Sequence, residues 1–160
     1  MNIVKILEYA LAREYQGKQF FTEYSTKLQS AEATGAFKII AAEEQKHIEF
    51  IQAQLKNLDP DRQAPALDMQ DVEFFSEQAS AASIEQVVSE SMVADLPVLR
   101  MAYLIEKDFA EFYAMTAQKA EGESQRILEM LAHWESGHER LFKRMHDQLI
   151  EKYAEMPWGG

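Results

Sequence analysis

The sequence predicts an all-α chain, four long helices in a bundle with one long crossover between the second and third. Three observations lead there. The helical spacing of apolar residues recurs four times, the two-residue alternation of strands is sustained nowhere, and the 6 glycines and 4 prolines fall mainly where helices should stop. With 160 residues, 47% of them hydrophobic, the chain fits one domain whose core needs no covalent staples.

The first helix is expected from Asn2 to Ala33, with Leu7, Glu14, Phe21 and Leu28 a heptad apart, Leu11 and Tyr24 filling in, and Thr34-Gly35 as the break. The second, from Ala36 to Leu58, places Phe37, Ile40, Glu44, His47, Ile51 and Leu58 on one face. Asp59-Pro60-Asp61 stops it, because proline cannot donate and disfavours helix in the residue before it. Residues 59 to 94 read as the crossover: Pro60 and Pro65 keep its start irregular, Val72 to Phe75 suggest a helical turn, and Ser83-Ile84-Glu85-Gln86 reads as a capping box opening a short helix to Ser91. The third helix begins at Asp95, read as its N-cap, with Pro97 in the first turn. Its stripe is Leu99, Ala102, Glu106, Phe109, Tyr113 and Ala117, and Gly122 ends it. The fourth starts near Ser124 and carries Leu128, Leu131, Glu135, His138, Phe142, Met145 and Leu149. Two short turns make the helices antiparallel in pairs. The crossover lets the third start at either end of the first. The bundle is taken as residues 1–155 and the tail, 156–160, as loose.

Composition excludes several function classes. The chain has no cysteine, which removes disulfides, thiolate metal sites and a thiol nucleophile. Its 27 acidic and 16 basic residues give a net charge of −11, the wrong sign for nucleic acid or an anionic membrane. No run of about 20 apolar residues is present, and the amino terminus lacks a secretory pattern, so a cytoplasmic location is expected.

The informative anomaly is what interrupts the apolar stripes. Each carries one glutamate where periodicity calls for a core residue: Glu14, Glu44, Glu106 and Glu135. Two are followed three residues on by histidine, as Glu44-x-x-His47 and Glu135-x-x-His138, and that spacing sets both side chains on one side of a helix. A buried lone carboxylate costs several kcal/mol, so it must be paired, protonated or metal-bound. No lysine or arginine lies in register on these stripes, and four carboxylates balance two divalent cations. With 20 glutamates and four histidines, chance gives roughly half an occurrence of Glu-x-x-His, so one copy means little. The register adds more. Glu14 to Glu44 is 30 residues and Glu106 to Glu135 is 29, so the halves repeat at offsets of 92 and 91. Phe20 and Phe112 each follow the first glutamate of their half by six.

One Glu on each of two helices with Glu-x-x-His on each of the other two resembles the ferritin-like di-iron carboxylate proteins. The segments Ala12-Arg13-Glu14 to Phe20-Phe21, Ala42-Glu43-Glu44-Gln45-Lys46-His47, and Ile105-Glu106-Lys107 to Phe112-Tyr113 are similar to the rubrerythrin branch. The resemblance implies a ferritin-like bundle holding two iron ions, with manganese or zinc as possible substitutes. It implies Glu14 and His47 as terminal ligands of one ion, Glu106 and His138 of the other, and Glu44 and Glu135 as bridges. Three features depart from the branch. The cysteine-rich rubredoxin domain is absent, Phe21 stands where tyrosine is common while Tyr113 keeps the equivalent in the second half, and Phe109 replaces an extra glutamate.

Two functions are therefore expected. One is an oxidoreductase consuming peroxide or O2, supplied with electrons by a separate redox protein. The other is a ferroxidase for iron storage or detoxification. A homodimer is the expected assembly, and Tyr113 an expected support of the ligands. Remaining features read as structural: His133 and His146 as solvated side chains, Gly17 as room near the ions, Trp134 and Trp158 as dimer-contact candidates. Glu43, one residue off the stripe, reads as surface, and its loss is expected to leave metal content unchanged.

Overall fold

The computed structural model describes residues 1–61 and 94–155. They form four helices and no strand: α1 Ile3–Tyr24, α2 Ala31–Leu58, α3 Asp95–Ala117 and α4 Gly122–Ala154. The features expected at Pro65, Val72 to Phe75, Ser83 to Ser91 and the tail 156–160 lie outside the described residues. None of the described helices is long and apolar enough to cross a membrane.

The first turn falls earlier than the sequence suggested. Thr34 and Gly35 sit inside α2, and α1 stops at Tyr24. The hydroxyls of Ser25 and Thr26 donate to the carbonyls of Thr22 and Glu23, each at 2.8 Å, satisfying groups a helix end leaves open. Ser30 then caps α2 by accepting from the Ala33 N–H at 3.3 Å. Gly35 meets no neighbour within 4 Å of a built Cβ and only lowers helix propensity, so a capped helix runs through it. Leu28, expected on the α1 stripe, packs instead from the turn.

Asp95 does not cap its own helix. Ala94 holds the cap position, and the buried Asp95 carboxylate accepts the backbone N–H groups of Gln29 at 2.8 Å and Ser30 at 2.7 Å. The start of α3 is thereby fixed to the turn where α1 ends, so α1 and α3 run antiparallel. Leu58 and Asp95 stand at opposite ends of the bundle. The second turn uses Gly122 to open α4 rather than to close α3. Its φ of +62° lies in the left-handed region that side chains disfavour. Gly122→Ala should cost about 1–2 kcal/mol, read as an earlier urea midpoint at unchanged slope.

Helix axes approach most closely within the α1–α2 and α3–α4 hairpins and stand further apart between them. Side chains fill that wider gap. At the turn end an aromatic layer closes it: Phe21 stacks on Phe142 at 5.2 Å, and Phe37 meets both edge-on. Leu7, Ile48, Ile51, Leu128 and Leu131 are fully buried around the remainder. Leu58, the last residue of α2, was expected inward but is 48% exposed because the helix ends there.

Candidate metal centre

Between the hairpins, all four stripe glutamates face one another. Glu14 of α1, Glu44 of α2, Glu106 of α3 and Glu135 of α4 have no exposed surface, and His47 and His138 are buried with them. The helical register explains this. Each side chain occupies a stripe position, so it points where leucine or phenylalanine points one turn away.

One atom from each of Glu14, Glu44, His47 and Glu135 lies within 4.8 Å of the others, and so does one from each of Glu44, Glu106, Glu135 and His138. Glu44 and Glu135 are common to both groups. Glu14 and His47 belong to one group only, and Glu106 and His138 to the other. His47 Nδ1 stands 2.8 Å from Glu135, 3.3 Å from Glu14 and 3.5 Å from Glu44. His138 Nδ1 stands 3.2 Å from Glu44 and 3.5 Å from Glu106 and Glu135.

The donor set fits a pair of hard-to-borderline cations. Both oxygens of Glu44, Glu106 and Glu135, and Nδ1 of His138, are buried yet accept or donate no hydrogen bond among the described residues. Buried polar atoms are rarely left so. Lone pairs converging from four helices are what a cation needs, and carboxylate with imidazole suits iron or manganese.

Without cations, protons must do the same work. Burial, and then the charge of Glu44, push the Glu14 carboxyl up to about 8. Burial and the charges of Glu44 and Glu135 raise Glu106 well above the carboxylate range. Burial opposes a charge on His47, but the carboxylates of Glu135, Glu14 and Glu44 beside its ring outweigh it and push the imidazole up to about 12. His138 is raised in the same way by Glu106, Glu135 and Glu44, again against burial.

The surrounding contacts include two the sequence did not disclose. Glu43 is not idle surface. Its Oε2 accepts from His138 Nε2 at 2.7 Å, which fixes the ring and leaves Nδ1 facing the acids. The two are 95 residues apart, and no spacing within α2 signals the contact. Glu43→Ala is therefore expected to weaken metal affinity about 10–100-fold by competition against a chelator, whereas exposed Glu129→Ala leaves it unchanged. Trp134, a candidate dimer contact by sequence, lies flat on His47 at 4.9 Å and 11°, and His47 in turn on His138 at 5.3 Å. Tyr113 donates its hydroxyl proton to Glu14, and burial with the Glu14 charge raises the phenol well above its ordinary value.

Gly17 makes room for packing. A Cβ there would stand 3.2 Å from the Phe109 ring and 3.8 Å from Glu44, so Phe109 fills the space on the α1–α3 side. The buried Arg13 guanidinium lies over the rings of Phe109 at 5.1 Å and Tyr9 at 5.7 Å. His133 is exposed, as expected. His146 is not solvated: its side chain is 12% exposed, with Nδ1 3.1 Å from Asp147 and the ring edge-on to Tyr103.

The family model for rubrerythrin matches residues 5–146, a span holding all six candidate ligands. Among solved structures, "Hypothetical Protein Pfu-1136390-001" from Pyrococcus furiosus has a TM-score of 0.69 at 18% identity, covering 98% of this chain and 94% of that one. That likeness concerns the fold alone. No curated protein matches the chain.

Proposed function

The chain belongs to the rubrerythrin family of di-iron carboxylate proteins, and from that we propose that Glu14, Glu44, His47, Glu106, Glu135 and His138 hold two iron ions at a site that reduces peroxide or O2. One observation carries the reading: two overlapping four-residue groups, sharing Glu44 and Glu135, meet in a buried space where the oxygens of Glu44, Glu106 and Glu135 accept no hydrogen bond among the described residues. Glu44 and Glu135, common to both groups, would hold both ions, and such a pair would act together on one small ligand.

A ferrous pair bound there would supply two electrons to such a ligand. The chain's own residues do the rest. Glu14 and His47 on one side, and Glu106 and His138 on the other, complete the two ligand sets. Loading requires them to give up protons to solvent, and the Tyr113 hydroxyl, donating to Glu14, holds that carboxylate in place once it is deprotonated. Leu11, Ile40, Ile51, Phe109 and Phe142 are buried and keep bulk water from the acids. In this proposal a separate redox protein supplies the electrons for turnover.

A second reading has one observation in its favour. Phe109 packs against Gly17 in place of an added carboxylate, which suits a ferroxidase that oxidises iron and passes it on. Stopped-flow mixing of the ferrous protein separates the two. The proposal expects peroxide to oxidise the site at least about tenfold faster than O2, with repeated turnover once a reductant is added. Slow oxidation by O2, followed by release or build-up of ferric iron, would replace it with the ferroxidase reading.

A further inference from the structure

A cleft between α2 and α4 opens above the two imidazoles, with a volume of about 590 Å3, a size usual for small-molecule sites. His47 and His138 form part of its floor, Ile39, Ile40, Leu141 and the Trp134 indole give it apolar walls, and Ile39 is 60% exposed. Lys46, His133 and Arg140 are exposed on its lining. Among the described residues, neither Lys46 nor Arg140 has a hydrogen bond or ion pair. The guanidinium lies over Gly137, with Nη2 4.0 Å from where a Cβ would stand. Glu43 is the one acid on the lining, and His138 already engages its carboxylate at 2.7 Å.

That charge balance is unexpected in a chain of net charge −11. Two cationic side chains, Lys46 and Arg140, and one committed acid around an apolar, aromatic-walled space are complementary to an organic anion. We propose that this cleft binds a small aromatic carboxylate, its ring against Trp134, Ile39 and Leu141 and its carboxylate between Lys46 and Arg140. Arginine suits the head group because its planar fork meets a carboxylate with two parallel hydrogen bonds. The indole suits the ring because its face and edges accept offset or edge-on aromatic partners. Bound there, the molecule lies against the outer side of His47 and His138. The proposal does not depend on what the acid cluster reacts with, and it is measured as binding with the metals in or out.

The probe is 2-naphthoate, compared with its neutral amide and with the cationic 2-naphthylmethylamine. Full-length Trp158→Phe protein leaves Trp134 as the one tryptophan, and quenching of its emission reports occupancy. Naphthoate is expected to bind about tenfold or more tighter than the amide, and the amine weakest. The double variant K46Q/R140Q, changed only at exposed positions, should keep its helicity and lose the preference to within about twofold. Equal binding of the three probes, or a preference surviving in the double variant, overturns the proposal. So does a dimer that buries this face, seen as no naphthoate binding together with a monomer produced by Ile39→Asp.

Discussion

Glu44→Ala should take bound iron from two ions per chain to near zero, by elemental analysis after reconstitution and desalting. Glu44 contributes to both four-residue groups, so its loss opens both coordination sets at once. Glu14→Ala and Glu106→Ala, each touching one group, should leave about one ion per chain, at reduced affinity. The variant is expected to fold. Removing one of four buried carboxyls relieves its repulsion with Glu14 and Glu106 but also takes a partner from His47 and His138, so the two effects offset and the metal-free Glu44→Ala chain should melt close to metal-free wild type. Equal iron loss in all three variants would mean that the two groups act as a single site.

The second large effect concerns pH and metal removal together. Metal-free protein should lose stability as pH rises from about 6 to 9. The Glu14 carboxyl, held up to about 8 by burial and the charge of Glu44, contributes stability that is complete below its ordinary 4.5 and lost as pH climbs through 8. His47, raised to about 12 by its carboxylate partners against the cost of burial, contributes stability complete below its ordinary 6.5 and lost towards 12. The two windows overlap from 6.5 to 8, so both terms fall there. The melting temperature of the metal-free chain should drop by about 5–10 °C across that interval. Binding metal reverses the slope, because the ligands must be deprotonated and the proton is released to solvent. At a thousandfold excess over the dissociation constant, metal adds about 4 kcal/mol, or about 8–16 °C for a chain of this size. Calorimetric scans from pH 6 to 9, with and without chelator, measure both slopes. A metal-free chain that grows more stable with pH would contradict the protonated-core description.

Much of this was legible in the sequence, for identifiable reasons. A glutamate on an apolar helical stripe is a local violation visible without coordinates, and Glu14, Glu44, Glu106 and Glu135 each make one. Four long periodic segments with short turns leave few architectures besides a bundle. The turn between α1 and α2 was misplaced because Gly35 is the loudest breaker by composition, whereas the break is made by quieter hydroxyls at Ser25, Thr26 and Ser30. Asp95 looked like a cap for its own helix because capping is read locally. Its partners, Gln29 and Ser30, are more than sixty residues away. Glu43 and Trp134 escaped for the same reason. Their roles arise across the α2–α4 gap, between residues that only the assembled bundle brings together.

An anomalous-difference map at the iron edge, from crystals of the iron-loaded protein, decides whether the six side chains jointly hold two ions in the bundle interior. It should show two peaks between Glu44 and Glu135, one flanked by Glu14 and His47, the other by Glu106 and His138. A single peak on the protein surface, or none between those two glutamates, would contradict that joint binding.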